Sequence, residues 1–130
     1  MRIAYSARGK PLLPVTLSLG DRVLTLEALV DSGSDLNVLP LRAGQELGAQ
    51  WDPQGPKLAL GGLLAGVLAA PLVVTAKVGD LPAVRLGFAW CQSDDLPVVL
   101  GQTNFFMVFD VVFSRSRLAF SVVPKGSANL

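Results

Sequence analysis

The chain has 130 residues, enough for one domain whose apolar core needs neither metals nor disulfides to hold it. Its residues are 51% hydrophobic and only 16% charged, against about 25% charged in an average soluble domain, so apolar surface is expected to be covered by a partner, most simply in a C2 homodimer. The net charge of +1, with Lys and Arg scattered and no basic run, excludes an electrostatic case for a nucleic-acid partner.

Met1 to Ser6 leads to Arg8 and Lys10 without an apolar signal region, which predicts a cytoplasmic protein. Pro14 to Leu19 reads as a strand, with Val15, Leu17 and Leu19 on one face and Thr16 and Ser18 on the other. Gly20-Asp21 supplies a tight turn, and Arg22 to Val30 returns with Val23, Leu24, Leu26 and Leu29, making a β-hairpin. This second strand runs directly into Asp31-Ser32-Gly33. After Pro40, Leu41 to Leu47 is a short helix ended by Gly48. Strands are expected at Leu58 to Leu60, Val67 to Thr75 and Ala83 to Ala89, punctuated by Gly79-Asp80 and Pro82. The same region contains an uncharged run, Leu58 to Ala76, between Lys57 and Lys77. It is about the length of a bilayer-spanning helix, although Gly61-Gly62, Gly66, Pro71 and the β-leaning Leu72 to Thr75 oppose that reading. Cys91 is the single cysteine. It excludes an internal disulfide framework and reads as a small apolar core residue. Leu96 to Gly101 is a short buried strand, Thr103 caps a brief helix through Met107, and Phe109 to Phe113 with Leu118 to Val123 form a closing hairpin around residues 114–117. Many short strands, tight turns and one or two short helices predict a mostly β barrel in a single domain, residues 1–130.

The chain contains no histidine. Ser-His and Cys-His nucleophile pairs are therefore absent, and a zinc site would have to be built from one Cys and carboxylates. Neither a metal nor another cofactor is expected, and carboxylates are left as the acid–base groups of any hydrolase built on this chain.

The segment Leu29-Val30-Asp31-Ser32-Gly33-Ser34-Asp35-Leu36-Asn37-Val38-Leu39-Pro40 resembles the active-site segment of retropepsins and their cellular and bacterial relatives. There an apolar pair precedes Asp-Thr/Ser-Gly, and an apolar run follows. Val99-Leu100-Gly101, followed by Thr103-Asn104-Phe105-Phe106, resembles the family's second hallmark, in which an apolar pair and a glycine open a short helix. Between them, Leu58 to Gly66 occupies the place of the flap, the glycine-bearing hairpin that covers the substrate. The resemblance spans about residues 12 to 123. It implies a retropepsin-like acid-protease barrel with a flap hairpin, acting as a homodimer on polypeptide substrates.

The same resemblance implies the roles of individual residues. Asp31 is the catalytic aspartate, one from each subunit, activating a water between them. Ser32 supplies the hydroxyl that supports the dimer, and Gly33 lets the turn approach the substrate backbone. Asp35 contacts the substrate main chain, and Gly61 and Gly62 do so from the flap. Leu60, Leu63 and Leu64 beside the flap point to hydrophobic subsites. Two positions depart from the retroviral pattern. Gln102 stands where many members carry the Arg that pairs with the aspartate matching Asp35, and Ser32 replaces the commoner Thr. An internal echo links the two hallmarks, since Leu29 to Gly33 and Val98 to Gly101 each end an apolar strand at a glycine. The competing readings are a non-catalytic β-barrel dimerisation or interaction module and a membrane-anchored protein.

Overall fold

The computed structural model describes residues 1–127; the last residues of the expected domain, 128–130, lie outside the described residues. The first hairpin forms as the sequence dictates. Strand β2 (Leu12–Leu19) pairs antiparallel with β3 (Arg22–Val30) from Leu12↔Leu29 to Leu19↔Arg22, around Gly20 at φ +57°. Leu13, Val15 and Leu17 point into the core, and so do Ala28 and Val30. Val23 instead is exposed, because it alternates onto the outer face.

Four further strands, β4 (Asn37–Leu39), β5 (Ala69–Lys77), β6 (Val84–Cys91) and β7 (Val99–Leu100), close a barrel in the order β2-β3-β7-β4-β6-β5. The two hallmark segments meet in parallel, Leu29 opposite Val99 and Val30 opposite Leu100. A second sheet has the order β1-β9-β8, from β1 (Arg2–Ala4), β8 (Phe109–Ser114) and β9 (Ala119–Pro124). Phe109, Phe120 and Val122 join the barrel's Leu17, Leu86 and Leu100 in one core. The sequence alone did not mark β1. Its three residues become a strand by pairing with Ser121, Phe120 and Ala119, a tertiary effect that overrides weak local preference.

Helix α1 (Leu41–Glu46) ends where Gly48 permits it, at φ +85°. The Gly48 N–H donates to Gln45 O and the Ala49 N–H to Gly44 O, both at 2.9 Å, the paired bonds of a Schellman cap. Gly44 has a packing reason to lie inside the helix. A Cβ there would overlap the Trp90 indole, whose Nε1–H donates to Leu41 O at 3.1 Å.

Three local expectations are corrected. Helix α2 (Phe105–Val108) is capped at Asn104 and not at Thr103. Asn104 adopts φ +79°, a region Asn tolerates better than a β-branched Thr, and its side chain is engaged elsewhere. The uncharged run 58–76 is divided between a loop and β5, and no helix among the described residues is long and apolar enough to cross a membrane. Finally, residues 58–66, where a flap hairpin is expected, form a loop with a 3₁₀ turn at Gly62–Leu64, tied to β5 by one isolated antiparallel bridge, Leu58↔Ala69. Positive φ values at Gly62 (+61°) and Gly66 (+88°) take the backbone out of strand geometry between them.

Cys91 is a core residue. It is fully buried with Val38, Ala69, Ala89 and Val99, and burial pushes its thiol pKa up.

Candidate active site

Asp31 is the first residue past β3, and its backbone is fixed by the strand beside it. Leu29 N–H donates to Val98 O at 2.8 Å and Asp31 N–H to Leu100 O at 3.0 Å, while Val30 N–H reaches Pro11 O on the other side. The chain then turns sharply. Ser34 N–H donates to Asp31 O at 3.1 Å, and Gly33 N–H donates to Asp31 Oδ1 at 2.9 Å. The carboxylate is thus held over its own turn, as Asp commonly is in such turns. A Cβ at position 33 would lie 3.3 Å from Oδ1, so glycine keeps that face of the carboxylate open. Asp31 is half-buried, whereas Ser32, Gly33 and Asp35 are exposed.

A second layer comes from the connection between β7 and α2. Gln102 N–H donates to Ser34 O and Thr103 N–H to Asp35 O, both at 2.8 Å. The Gln102 side chain adds a third clamp, its Nε2–H donating to Ser32 O at 2.8 Å. Gly101 passes so close to the turn that a Cβ would sit 2.5 Å from Leu36 O and 2.6 Å from Ser34 O.

Asn37 ties the layers together. It is the one buried polar residue of the described core, 1% exposed. Its Oδ1 accepts Gly101 N–H at 2.8 Å, and its Nδ2–H donates to Gly87 O at 3.0 Å. Gly87 N–H in turn donates to Asn104 Oδ1 at 3.0 Å. Two asparagines therefore bridge β4, β6, β7 and the start of α2 with every buried amide partner satisfied, which is the condition for such groups to be tolerated inside a core. Sequence reasoning missed both. The one available signal was a lone amide in the apolar run Leu36 to Leu39.

The expected site residues fall into two groups. Asp31, Ser32, Gly33 and Asp35 share one braced turn. Gly61 and Gly62 lie on the exposed loop after Leu58, and among the described residues no hydrogen bond joins that loop to the turn. Apolar contact does connect the two regions. Leu58, Leu60, Leu64 and Val67 from the loop pack with Leu36 and Leu96 around Val38 and Val99, forming an apolar wall beside the turn. The side chain of Leu63 lies outside the described residues.

No protein-family model and no curated protein matches the chain. Among solved structures, a retropepsin-like aspartic protease from Rickettsia conorii superposes with a TM-score of 0.63 at 14% identity, over 95% of this chain and 91% of its own. The EIAV protease, solved in complex with the inhibitor HBY-793, superposes with a TM-score of 0.56 at 22% identity, over 76% of this chain and 88% of its own. The fold is retropepsin-like.

Within this retropepsin-like fold, Gln102 is more than a missing cation. Its amide binds the turn backbone, and the Asp35 carboxylate has no ion pair or hydrogen bond among the described residues. Replacing Gln102 with Leu removes the clamp on Ser32 O at an exposed position, so water can substitute for the lost donor. We expect a stability loss of about 1 kcal/mol with faster hydrogen exchange at the Gly33 and Ser34 amides, measured by NMR. Unchanged exchange there would show that the clamp does not stiffen the turn.

Proposed function

We propose that the chain is an aspartic endopeptidase that hydrolyses peptide bonds as a homodimer. The observation that carries this reading is the placement of Asp31: a half-buried carboxylate at the end of a core strand, on a turn braced by the β7–α2 connection of a retropepsin-like fold. A binding module has no physical need to fix a carboxylate in this way, because holding a charge near a desolvated axis costs stability.

In the dimer the two Asp31 side chains meet across the two-fold axis. Carboxylates roughly 3 Å apart do not both carry charge readily, so the pair shares one proton. The ionised member takes a proton from a water. The protonated member donates to the carbonyl oxygen of the scissile bond, and the water oxygen adds to the carbonyl carbon. The resulting tetrahedral intermediate collapses with proton transfer to the amide nitrogen, releasing two peptides without a covalent enzyme adduct.

The neighbouring residues support this chemistry. Ser32 Oγ reaches toward the partner's turn, Gly33 admits the substrate backbone, and Asp35 offers its free carboxylate to substrate main-chain amides. Gly61 and Gly62 close from the flap side, where glycine permits both mobility and close approach. Leu36, Leu60 and Leu64 line the approach with apolar surface suited to hydrophobic substrate side chains.

The test is incubation of the pure chain with casein, an unstructured protein, from acidic to neutral pH, with and without a statine-type inhibitor. Cleavage that the inhibitor blocks supports the reading. A folded dimer that cleaves nothing would assign the chain to the non-catalytic interaction modules instead.

A further inference from the structure

We propose that Asn37 is the positioning residue for Asp31, acting through the peptide unit that joins Leu100 to Gly101. Its effect on catalysis rests on the peptidase reading above, but the hydrogen bonds that carry it do not. The two ends of this one planar unit are held by different residues. Its carbonyl, Leu100 O, accepts the Asp31 N–H at 3.0 Å. Its N–H, on Gly101, donates to Asn37 Oδ1 at 2.8 Å. An acceptor at the N–H polarises the unit and strengthens what its carbonyl accepts, so the bond to Asn37 and the bond to Asp31 reinforce each other. The other end of the amide is anchored in the barrel wall, where Asn37 Nδ2–H donates to Gly87 O of β6 at 3.0 Å. A continuous path thus runs from β6 through one side chain and one peptide unit to the backbone of the proposed catalytic aspartate.

The unit has no slack with which to replace a lost partner. Asn37 is buried, so water does not reach its bonds. The next peptide unit holds Ser34 O through the Gln102 N–H at 2.8 Å, so a rotation at Gly101 disturbs both ends of the Asp31 turn at once. The position demands a side chain that accepts one hydrogen bond, donates another and carries no charge. An amide meets all three demands at every pH, whereas a carboxyl meets them only while protonated. Each Asp31 of the dimer is placed by its own Asn37, and a displacement of about 1 Å from a productive arrangement costs on the order of a hundredfold in rate. Asn37 therefore governs the reaction without touching substrate. The titratable side chains on the elements that pair with β4 or bond to Asn37 are Asp31 and Asp35 on the turn and Arg85 and Cys91 on β6; β4, β7 and α2 carry none. None of these groups bonds to Asn37.

Two variants of the full chain test the link. Asn37→Leu keeps the approximate size and removes both bonding groups. With folding checked by circular dichroism, its kcat per site titrated by a statine-type inhibitor is expected to fall about a hundredfold, with KM within about threefold of wild type. Its Asp31 amide should exchange at least about tenfold faster relative to amides of β8 and β9. Asn37→Asp keeps both bonds while its carboxyl is protonated. Its kcat relative to wild type should be nearly unchanged at acidic pH and fall as pH rises through that carboxyl's pKa, which burial sets above the usual value of about 4. Asp31 and Asp35 titrate in both proteins, so they do not produce this change in the ratio. A folded Asn37→Leu with wild-type kcat per site or wild-type Asp31 exchange, or an Asn37→Asp that follows wild type at every pH, would overturn the proposal. Should Asn37→Leu fail to fold, Asn37→Asp decides alone. The two readings fail separately: a wild type that cleaves nothing refutes the peptidase, and Asp31 exchange then decides whether Asn37 holds the turn.

Discussion

Asp31→Asn is expected to reduce casein cleavage by about a thousandfold, within the range attributed to positioned acid–base groups, while leaving the fold in place. Asn keeps an oxygen where Oδ1 accepts the Gly33 N–H at 2.9 Å, so the turn retains its internal bond. What disappears is the ionisable pair, since two neutral amides can neither take a proton from water nor hand one to a carbonyl. Matched casein assays and thermal melts check both halves of this expectation. Equal cleavage by the two proteins would place the activity in a contaminant or at another site, and Asp31 would lose its assignment.

The second large effect is on stability. Gly101→Ala places a methyl group 2.5 Å from Leu36 O and 2.6 Å from Ser34 O, and neither neighbour is a flexible side-chain end. Ser34 O already accepts the Gln102 N–H, and Gly101 N–H is itself bound to Asn37 Oδ1. Relieving the overlap therefore means pulling apart hydrogen bonds that brace the site. We expect a loss of about 3 kcal/mol and a Tm lower by on the order of 10 °C. Gly61→Ala is the matching control. Its backbone is extended at φ −111° with open space around the added carbon, so stability should change by no more than about 0.5 kcal/mol. A Gly101→Ala protein as stable as the control would show that the turn can yield.

Much of this arrangement is legible in the sequence because it is written in short-range patterns. Alternation in Val15, Leu17 and Leu19 marks β2, Gly20-Asp21 marks its turn, and Gly48 marks the end of α1. The resemblance of residues 29–40 and 99–106 to two hallmarks gives the frame, and their weak internal echo proves to be two strands lying side by side. Other features depend on partners that no local window contains. Asn37 is explained only by Gly87 and Gly101, which lie 50 and 64 residues further along the chain. Asn104 displaces Thr103 as the cap because its side chain has a use at Gly87 and its backbone tolerates positive φ. β1 exists only because β9 is there to receive it. At Gln102 the identity of the residue was visible, but its bond to Ser32 O depends on a juxtaposition that the sequence alone does not display.

The parallel pairing of Leu29 and Val30 with Val99 and Leu100 has a consequence for when the molecule becomes competent. The turn at Asp31 lies in the first third of the chain, yet its supports lie at residues 98–103. Contacts so distant in sequence must overcome a large loop-closure entropy before they are rewarded, and folds dominated by them form slowly. During synthesis the aspartate is exposed long before anything exists to hold it. Competence is therefore a late property of the chain, acquired only after β7 and the start of α2 have docked.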